Sequence, residues 1–464
     1  MLRPRRLVYS ATTLMLFAIT VSAFGAGKET ILFSFNGQDG YWPAGPLVFD
    51  TSGNLYGATP DGGSHSRGTV YKLSPASGGE WTQTVLYNFC QYKLCPDGSG
   101  PIGGPAFDMA GNLYGVTAQG GSDASCEYGC GVVYELSPGA NGTWTETVLH
   151  TFGSPGDGTN PSWQSLLIDS SGNLYGTTSS GGAGACDYGC GTVFEMSPGA
   201  DGQWAETILY SFRGSSADGV YPLAGLLADG DGNLYGTTSW GGKNNEKCAY
   251  PGSSLELHPP VRGASVSSQC GAVFELSPGA DGAWTEKILH FFVPSEGTNP
   301  ESDLVMDANG NVFGTTVIGG RQPCYSKTEG PLYCGSVFEL SPNADGTWTE
   351  QTLRAFYFPR KAMGGVALDG AGNVYGSTSF GGKHICFNNQ VNCGTVFELS
   401  PGQDGKWTQT TLYNFGGPGD GAFPYNRLIF DSSGNLYGVT QGGGNEKTRD
   451  CGGYGCGIVF KFTP

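Results

Sequence analysis

Basic residues are scarce in this sequence: 23 Lys+Arg stand against 40 Asp+Glu in 464 residues. Phosphate binding needs a basic patch, so a nucleic-acid partner is not expected. Arginine is thin in the body of the chain, which gives little support to a clamp on a sialate carboxylate. Helical periodicity is missing over any useful length. Beyond the first 26 residues no apolar run is long enough to cross a bilayer. The patterns G-x-S-x-G, H-E-x-x-H and the P-loop are absent, and with them the usual signatures of nucleophile, zinc and nucleotide chemistry. No catalytic residue or metal ligand set is singled out, and no cofactor is expected.

The N-terminus is a separate segment. MLRPRR is basic, LVYSATTLMLFAITVSA is mostly apolar, and small residues follow. This is the layout of a secretory signal peptide over residues 1–23, with cleavage after Ala23 or Gly25; an uncleaved anchor is the alternative. Three arginines leave with it, which takes 23 basic residues to 20 against 40 acids. Such acidity suits an exported protein or a cation-binding surface.

What is abundant is glycine and proline, 80 and 27 residues. Disorder does not follow, because aromatics make up 12% of the chain. The glycines mark turns in a turn-dense fold. DSSGNLYG at 169–176 recurs letter for letter at 431–438. The core of it, Gly-Asn-(Leu/Val)-(Tyr/Phe)-Gly, begins at Gly53, Gly111, Gly172, Gly232, Gly310, Gly372 and Gly434. A fixed period of this kind is the signature of an array. Each period holds four short runs rich in β-branched and aromatic residues, here called strands a to d: LAGLLAD, LYGTTS, GAVFEL and WTEKILHFF in one copy. Seven units of four antiparallel strands predict an all-β, seven-bladed β-propeller over 29–464. The last copy stops after strand c (GIVFKF, 457–462), while ETILFSF (29–35) is a strand d at the other end of the chain. The N-terminal strand is therefore expected to complete the last blade and close the ring.

The recurring residues read first as scaffold. In D-x-x-G-N, Asp and Asn accept local backbone hydrogen bonds and Gly supplies positive φ, giving the a–b turn. DGDGN (229–233) also resembles half of a calcium loop, but Asp231 is Ser or Ala in most copies. S-P-G-A-D-G-x-W resembles the Asp box of sialidase propellers, with Asp, Gly and Trp spaced differently; that box is itself a turn. Glu135, Glu195, Glu275, Glu339 and Glu398 recur in strand c, and Glu146, Glu206, Glu286 and Glu350 in strand d. Such recurrence points to outer-strand surface positions rather than acid/base work. His150 and His290 stand where other copies have Tyr, which favours a packing role.

The unit D-x-x-G-N-L-Y-G-T-T-x-x-G-G…G-T-V-F-E-L-S-P…W-T-E-T-x-L-Y-x-F resembles the bacterial GloVer tandem repeat of the choice-of-anchor tandem repeat GloVer-containing proteins. The resemblance covers essentially the whole chain after residue 26. It implies an exported, repeat-built protein and carries no activity or catalytic residues with it.

Fourteen cysteines fall into seven close pairs: Cys90/Cys95, Cys126/Cys130, Cys186/Cys190, Cys248/Cys270, Cys324/Cys334, Cys386/Cys393 and Cys451/Cys456. Six pairs lie between strands b and c. In an exported chain, local even-numbered pairs read as disulfides.

Antiparallel blades send the uniform a–b and c–d turns to one end and the variable b–c and d–a segments to the other. That second face, which includes the enlarged loop 243–270, is the expected binding surface. Asp39, Asp97, Asp157, Asp218 and Asp420 recur there in a G-x-D-G-x-x-P theme. Beside them stand aromatics that differ from copy to copy: Trp42, Trp163, Tyr221, Phe423 and Tyr425, with Trp240 and Phe380 ending their b strands. Aromatics next to carboxylates suit stacking on sugar rings. Asp157, Asp218 and these seven aromatics are the candidate ligand residues. Three functions stay open: an exported, monomeric binder of carbohydrate or another envelope polymer; a polysaccharide hydrolase or lyase with carboxylates in the central funnel; and a structural surface protein.

Overall fold

The computed structural model describes residues 27–464 apart from 122–125, 163–164, 215–216, 243–269, 281, 321–324, 327–329, 332–333, 358–363, 387–390, 417–418, 445–450 and 452–453. The expected signal peptide and nearly all of the loop 243–270 thus lie outside the described residues.

Seven antiparallel sheets radiate from a common axis, each with strand a innermost and strand d outermost. In blade 1 the four strands are Ala44–Phe49, Leu55–Thr59, Thr69–Pro75 and Trp81–Asn88. The ring closes as the repeat predicts. Lys28–Ser34 pairs with Ile458–Thr463, with Ile31 opposite Phe460, and so becomes strand d of blade 7. This pairing leaves neither chain end as an open edge in the ring.

DSSGNLYG is a self-contained hydrogen-bonded turn. Oδ1 of Asp169 accepts the N–H groups of Ser171 and Asn173, at 2.8 and 2.9 Å. Its Oδ2 accepts Asn173 Nδ2 at 2.9 Å and the Tyr175 hydroxyl at 3.2 Å. Burial works against the charged carboxyl, but these bonds hold it below the usual range. The same set recurs at Asp50, Asp229, Asp369 and Asp431. The glycine of L-Y-G has a different task. A Cβ on Gly236 would lie 2.9 Å from Phe274 Cε1, so strand b is bare there to admit the strand-c ring.

Aromatic pairs cross the seams between blades. The Phe that follows strand d of one blade meets the strand-c ring of the next edge to face, as in Phe152–Phe194 at 5.2 Å and Phe212–Phe274 at 5.3 Å. Phe35 makes the same contact with Tyr71 at 5.1 Å across the seam where the ring closes.

Strand a departs from the expectation. The G-x-x-P segment is not a connection but the first half of strand a. Gly158–Pro161 and Leu167–Ile168 both pair with Leu174–Gly181, so strand a is broken in the middle. The residue before the proline has left-handed backbone: Trp42, Asn160, Tyr221, Asn299 and Phe423 have φ between 54° and 60°. That geometry turns its N–H out of the blade toward the neighbouring one, where a carbonyl receives it.

Candidate functional site

The receiving carbonyl belongs to the cysteine that closes the previous blade's b–c loop. Asn160, Tyr221, Asn299, Phe423 and Trp42 donate to the carbonyls of Cys130, Cys190, Cys270, Cys393 and Cys456, at 2.9–3.1 Å. In blade 1, whose b–c loop lacks cysteine, Arg67 takes this place and receives Gly100 at 2.9 Å. The next residue is always glycine. A Cβ on Gly131 would strike the Thr117 carbonyl and lie 2.7 Å from Pro161 Cδ of the next blade. Each of these five Cys-Gly corners is thus clasped to the x-Pro corner of its neighbour.

Five of the expected disulfides are present as paired from sequence: Cys90–Cys95, Cys126–Cys130, Cys186–Cys190, Cys386–Cys393 and Cys451–Cys456. Cys270 and Cys334 are also disulfide-bonded. Their expected mates, Cys248 and Cys324, lie outside the described residues. These bonds belong to an oxidising environment. No described helix is long and apolar enough to cross a membrane.

The disulfide loops tie down the backbone of three tyrosines. In CEYGC, CDYGC and CGGYGC the carbonyls of Tyr128, Tyr188 and Tyr454 accept the N–H groups of Gly120, Gly181 and Gly443 at the ends of their b strands, at 2.7–2.8 Å. The three side chains nevertheless stand in solvent, 65%, 66% and 51% exposed. Tyr92, inside the Cys90–Cys95 loop, is 64% exposed and Trp42 is 46% exposed. These five residues come from blades 7, 1, 2 and 3 and the connection between 1 and 2. They form an arc over consecutive blades on the b–c face. Ten large apolar or aromatic side chains are exposed among the described residues, and only Ile31 and Met109 lie off this face.

The candidate residues read from the sequence divide. Trp42 is exposed at the start of the arc. Tyr221, Trp240, Phe380, Phe423 and Tyr425 are half-buried. Phe380 and Phe423 stand together, 5.5 Å apart and edge to face. Asp157 and Asp218 are buried. They cap the d–a turns, accepting the N–H groups of Gly153 and Arg213 at 3.0 and 2.7 Å. Trp163 lies outside the described residues. Tyr92, Tyr128, Tyr188 and Tyr454 were not singled out from sequence. The aromatic inside a cysteine bracket, as in C-x-Y-G-C, was the signal that could have found them.

The strand-d glutamates, expected at the surface, instead face the seams. Each meets the carboxylate of a d–a turn and a strand-d side chain of the previous blade. Glu146 meets Asp97 and Tyr87, Glu286 meets Asp218 and Tyr210, and Glu29 meets Asp420 and Tyr413. Burial, reinforced by the neighbouring aspartate, pushes each of these glutamates up to about 7. Two seams carry histidine instead of tyrosine. His290 Nε2 lies 2.9 Å from Glu296 Oε2, and His150 Nε2 lies 3.0 Å from Asp157 Oδ2 and 3.7 Å from Glu206 Oε2. Both imidazoles also pack edge to face on a phenylalanine, Phe152 at 4.8 Å and Phe292 at 5.0 Å, so they do have the packing role read from sequence.

Broken inner strands, four-stranded blades and a terminal strand that closes the circle define a seven-bladed β-propeller made from one repeat. Residues 82–250 match the Gloeobacter/Verrucomicrobia repeat, and this stretch belongs to that repeat family, as the resemblance in sequence led us to expect. No curated protein matches the chain in sequence. Among solved structures, the chain is similar to virginiamycin B lyase from Staphylococcus aureus, at 11% identity and TM-score 0.49 over 94% of this chain and 99% of that one. It is also similar to the extracellular domain of a one-component system from B. thetaiotaomicron, at 11% identity and TM-score 0.49 over 94% and 42% of the two chains. A luciferin-regenerating enzyme follows at 14% identity and TM-score 0.37, over 78% and 91%. These are likenesses of fold, and nothing of those proteins' chemistry passes to this chain.

Proposed function

We propose that this is an exported binding propeller that holds carbohydrate or another envelope polymer on its disulfide-stapled loop face. One observation carries the reading: the arc of Tyr454, Trp42, Tyr92, Tyr128 and Tyr188, solvent-exposed across consecutive blades. Tyrosine offers a large, rigid, amphipathic contact at low entropic cost. Three of these tyrosines are tied by their own carbonyls to strand ends, so the main chain that carries them is ordered before a ligand arrives. An arc over several blades suits an extended ligand rather than a compact one. Glu127 and Asp187 sit beside Tyr128 and Tyr188 as acceptors for hydroxyl groups. The disulfides fit a periplasmic, extracellular or cell-surface location.

The test is affinity electrophoresis and a glycan and cell-wall polymer array with the mature chain. The quadruple variant Tyr92→Ala, Tyr128→Ala, Tyr188→Ala, Tyr454→Ala serves as the comparison. Binding that falls at least about tenfold in the variant is expected, since aromatic anchors of an interface each contribute on the order of 1 kcal/mol or more. Equal binding by parent and variant, or no binding by the parent, overturns the reading.

A further inference from the structure

The seam between blades 2 and 3 differs from the others. His150 leaves strand d of blade 2, Asp157 caps the following turn, and Glu206 comes from strand d of blade 3. One nitrogen and two carboxylate oxygens from these three residues lie within 4.8 Å of one another. They line an open hollow of about 290 Å³, together with Ser154, Pro155, Gly156 and Ile208.

The equivalent seams hold their aspartate differently, although Glu29, Glu146 and Glu286 there also keep a buried Oε1 without a hydrogen-bond partner. Where tyrosine stands, its hydroxyl donates to the aspartate, Tyr87 to Asp97 at 3.1 Å and Tyr413 to Asp420 at 3.0 Å. At the other histidine seam, Glu350 Oε1 is occupied by the Thr352 hydroxyl at 2.9 Å. Position 208 is Ile where 352 is Thr, so Glu206 has no such donor. Its Oε1 is buried without a hydrogen-bond partner. Only the blade 2–3 seam combines imidazole, two carboxylates, a buried carboxylate oxygen without a donor and a hollow in front of them, among the described residues.

We propose that His150, Asp157 and Glu206 form a divalent cation site, with Zn²⁺ as the best-matched ion. An ion bound at about 2.0–2.2 Å holds its donors roughly 3.0–3.5 Å apart. The observed separations of 3.0 and 3.7 Å bracket that span. One imidazole with two carboxylates is a borderline donor set, which suits Zn²⁺ better than Ca²⁺ or Mg²⁺. The ion replaces the hydrogen bond between His150 and Asp157 and takes Glu206 through Oε2, the oxygen 3.7 Å from His150 Nε2. Gly153 N–H, 3.0 Å from Asp157 Oδ2, stays as the outer hydrogen bond that fixes the aspartate. Three protein ligands leave a further coordination position facing the hollow, open to water or to a ligand's oxygen.

The test is isothermal titration of the metal-free mature chain with Zn²⁺ alone. The parent is expected to bind one equivalent through this site. His150→Tyr restores the side chain that other seams carry, so it keeps the fold and loses that equivalent. Glu206→Gln keeps the shape and weakens binding by at least about tenfold. His290→Tyr, the matched control at the other histidine seam, leaves binding unchanged. The proposal is overturned if the parent takes up no stoichiometric Zn²⁺, or if His150→Tyr and Glu206→Gln bind it as the parent does. Because the Tyr arc is untouched by these variants, failure here leaves the polymer-binding reading standing, and the reverse also holds.

Discussion

The seam glutamates make the ring's stability depend on pH, and Glu146→Gln isolates the effect. Glu146 faces Asp97, Tyr87 and the buried Tyr134. Burial and Asp97 raise its carboxyl from an ordinary 4.5 to about 7. A folded-state value above the unfolded one means the folded chain holds the proton more tightly. The stabilisation is therefore fully present below about 4.5 and is lost as pH rises through about 7. That interval corresponds to ~3 kcal/mol at most, and solvent access to the side chain reduces it to ~1–2 kcal/mol. Glu29 and Glu286, each also raised to about 7, add to the same trend. Calorimetry of the mature chain should show a melting temperature that falls between pH 5 and 9. Glutamine cannot ionise, so Glu146→Gln should match the parent at pH 5 and melt roughly 1–3 °C higher at pH 9. A variant that melts lower than the parent at pH 9 would show that the ionised carboxylate is favourably held, and would refute the reasoning.

Two further outcomes test the scaffold. Gly131→Ala places a Cβ against the Thr117 carbonyl and Pro161, at a backbone φ of 94°; a loss of roughly 2–4 kcal/mol in chemical denaturation is expected, and a neutral result would remove the clasp from the account. Phe35→Ala empties the aromatic position at the closing seam, where the ring is fully buried against Tyr71; a cost of about 3–5 kcal/mol is expected by the same measurement, with a smaller loss showing that closure rests on strand pairing alone.

The scaffold was legible in the sequence because its instructions are local and repeated. DSSGNLYG carries donor, acceptor and glycine within eight residues, and its network in the fold stays inside those residues. Ring closure was legible for a related reason, since a strand missing from one end was written at the other. The broken strand a was not. G-x-x-P looks like a turn, and only pairing with strand b shows that Gly158–Pro161 belongs to the sheet. Glu206 was misplaced because its alternation along strand d says which face it is on but not that the preceding blade covers that face. His150, Asp157 and Glu206 converge only when two blades are set side by side, a relation absent from any single repeat. The exposed tyrosines sat inside brackets already noted for their cysteines, but exposure is a property of the folded loop.

The clasp between Cys-Gly and x-Pro corners joins blades mainly through main-chain atoms and two small residues, the same at five joints of the ring. Copies that carry both corners are consequently compatible neighbours. A genetic exchange between DSSGNLYG at one place and DSSGNLYG at another yields hybrid blades whose edges still fit. The chain can trade and diversify its loops by recombination without having to reinvent the joints that hold them.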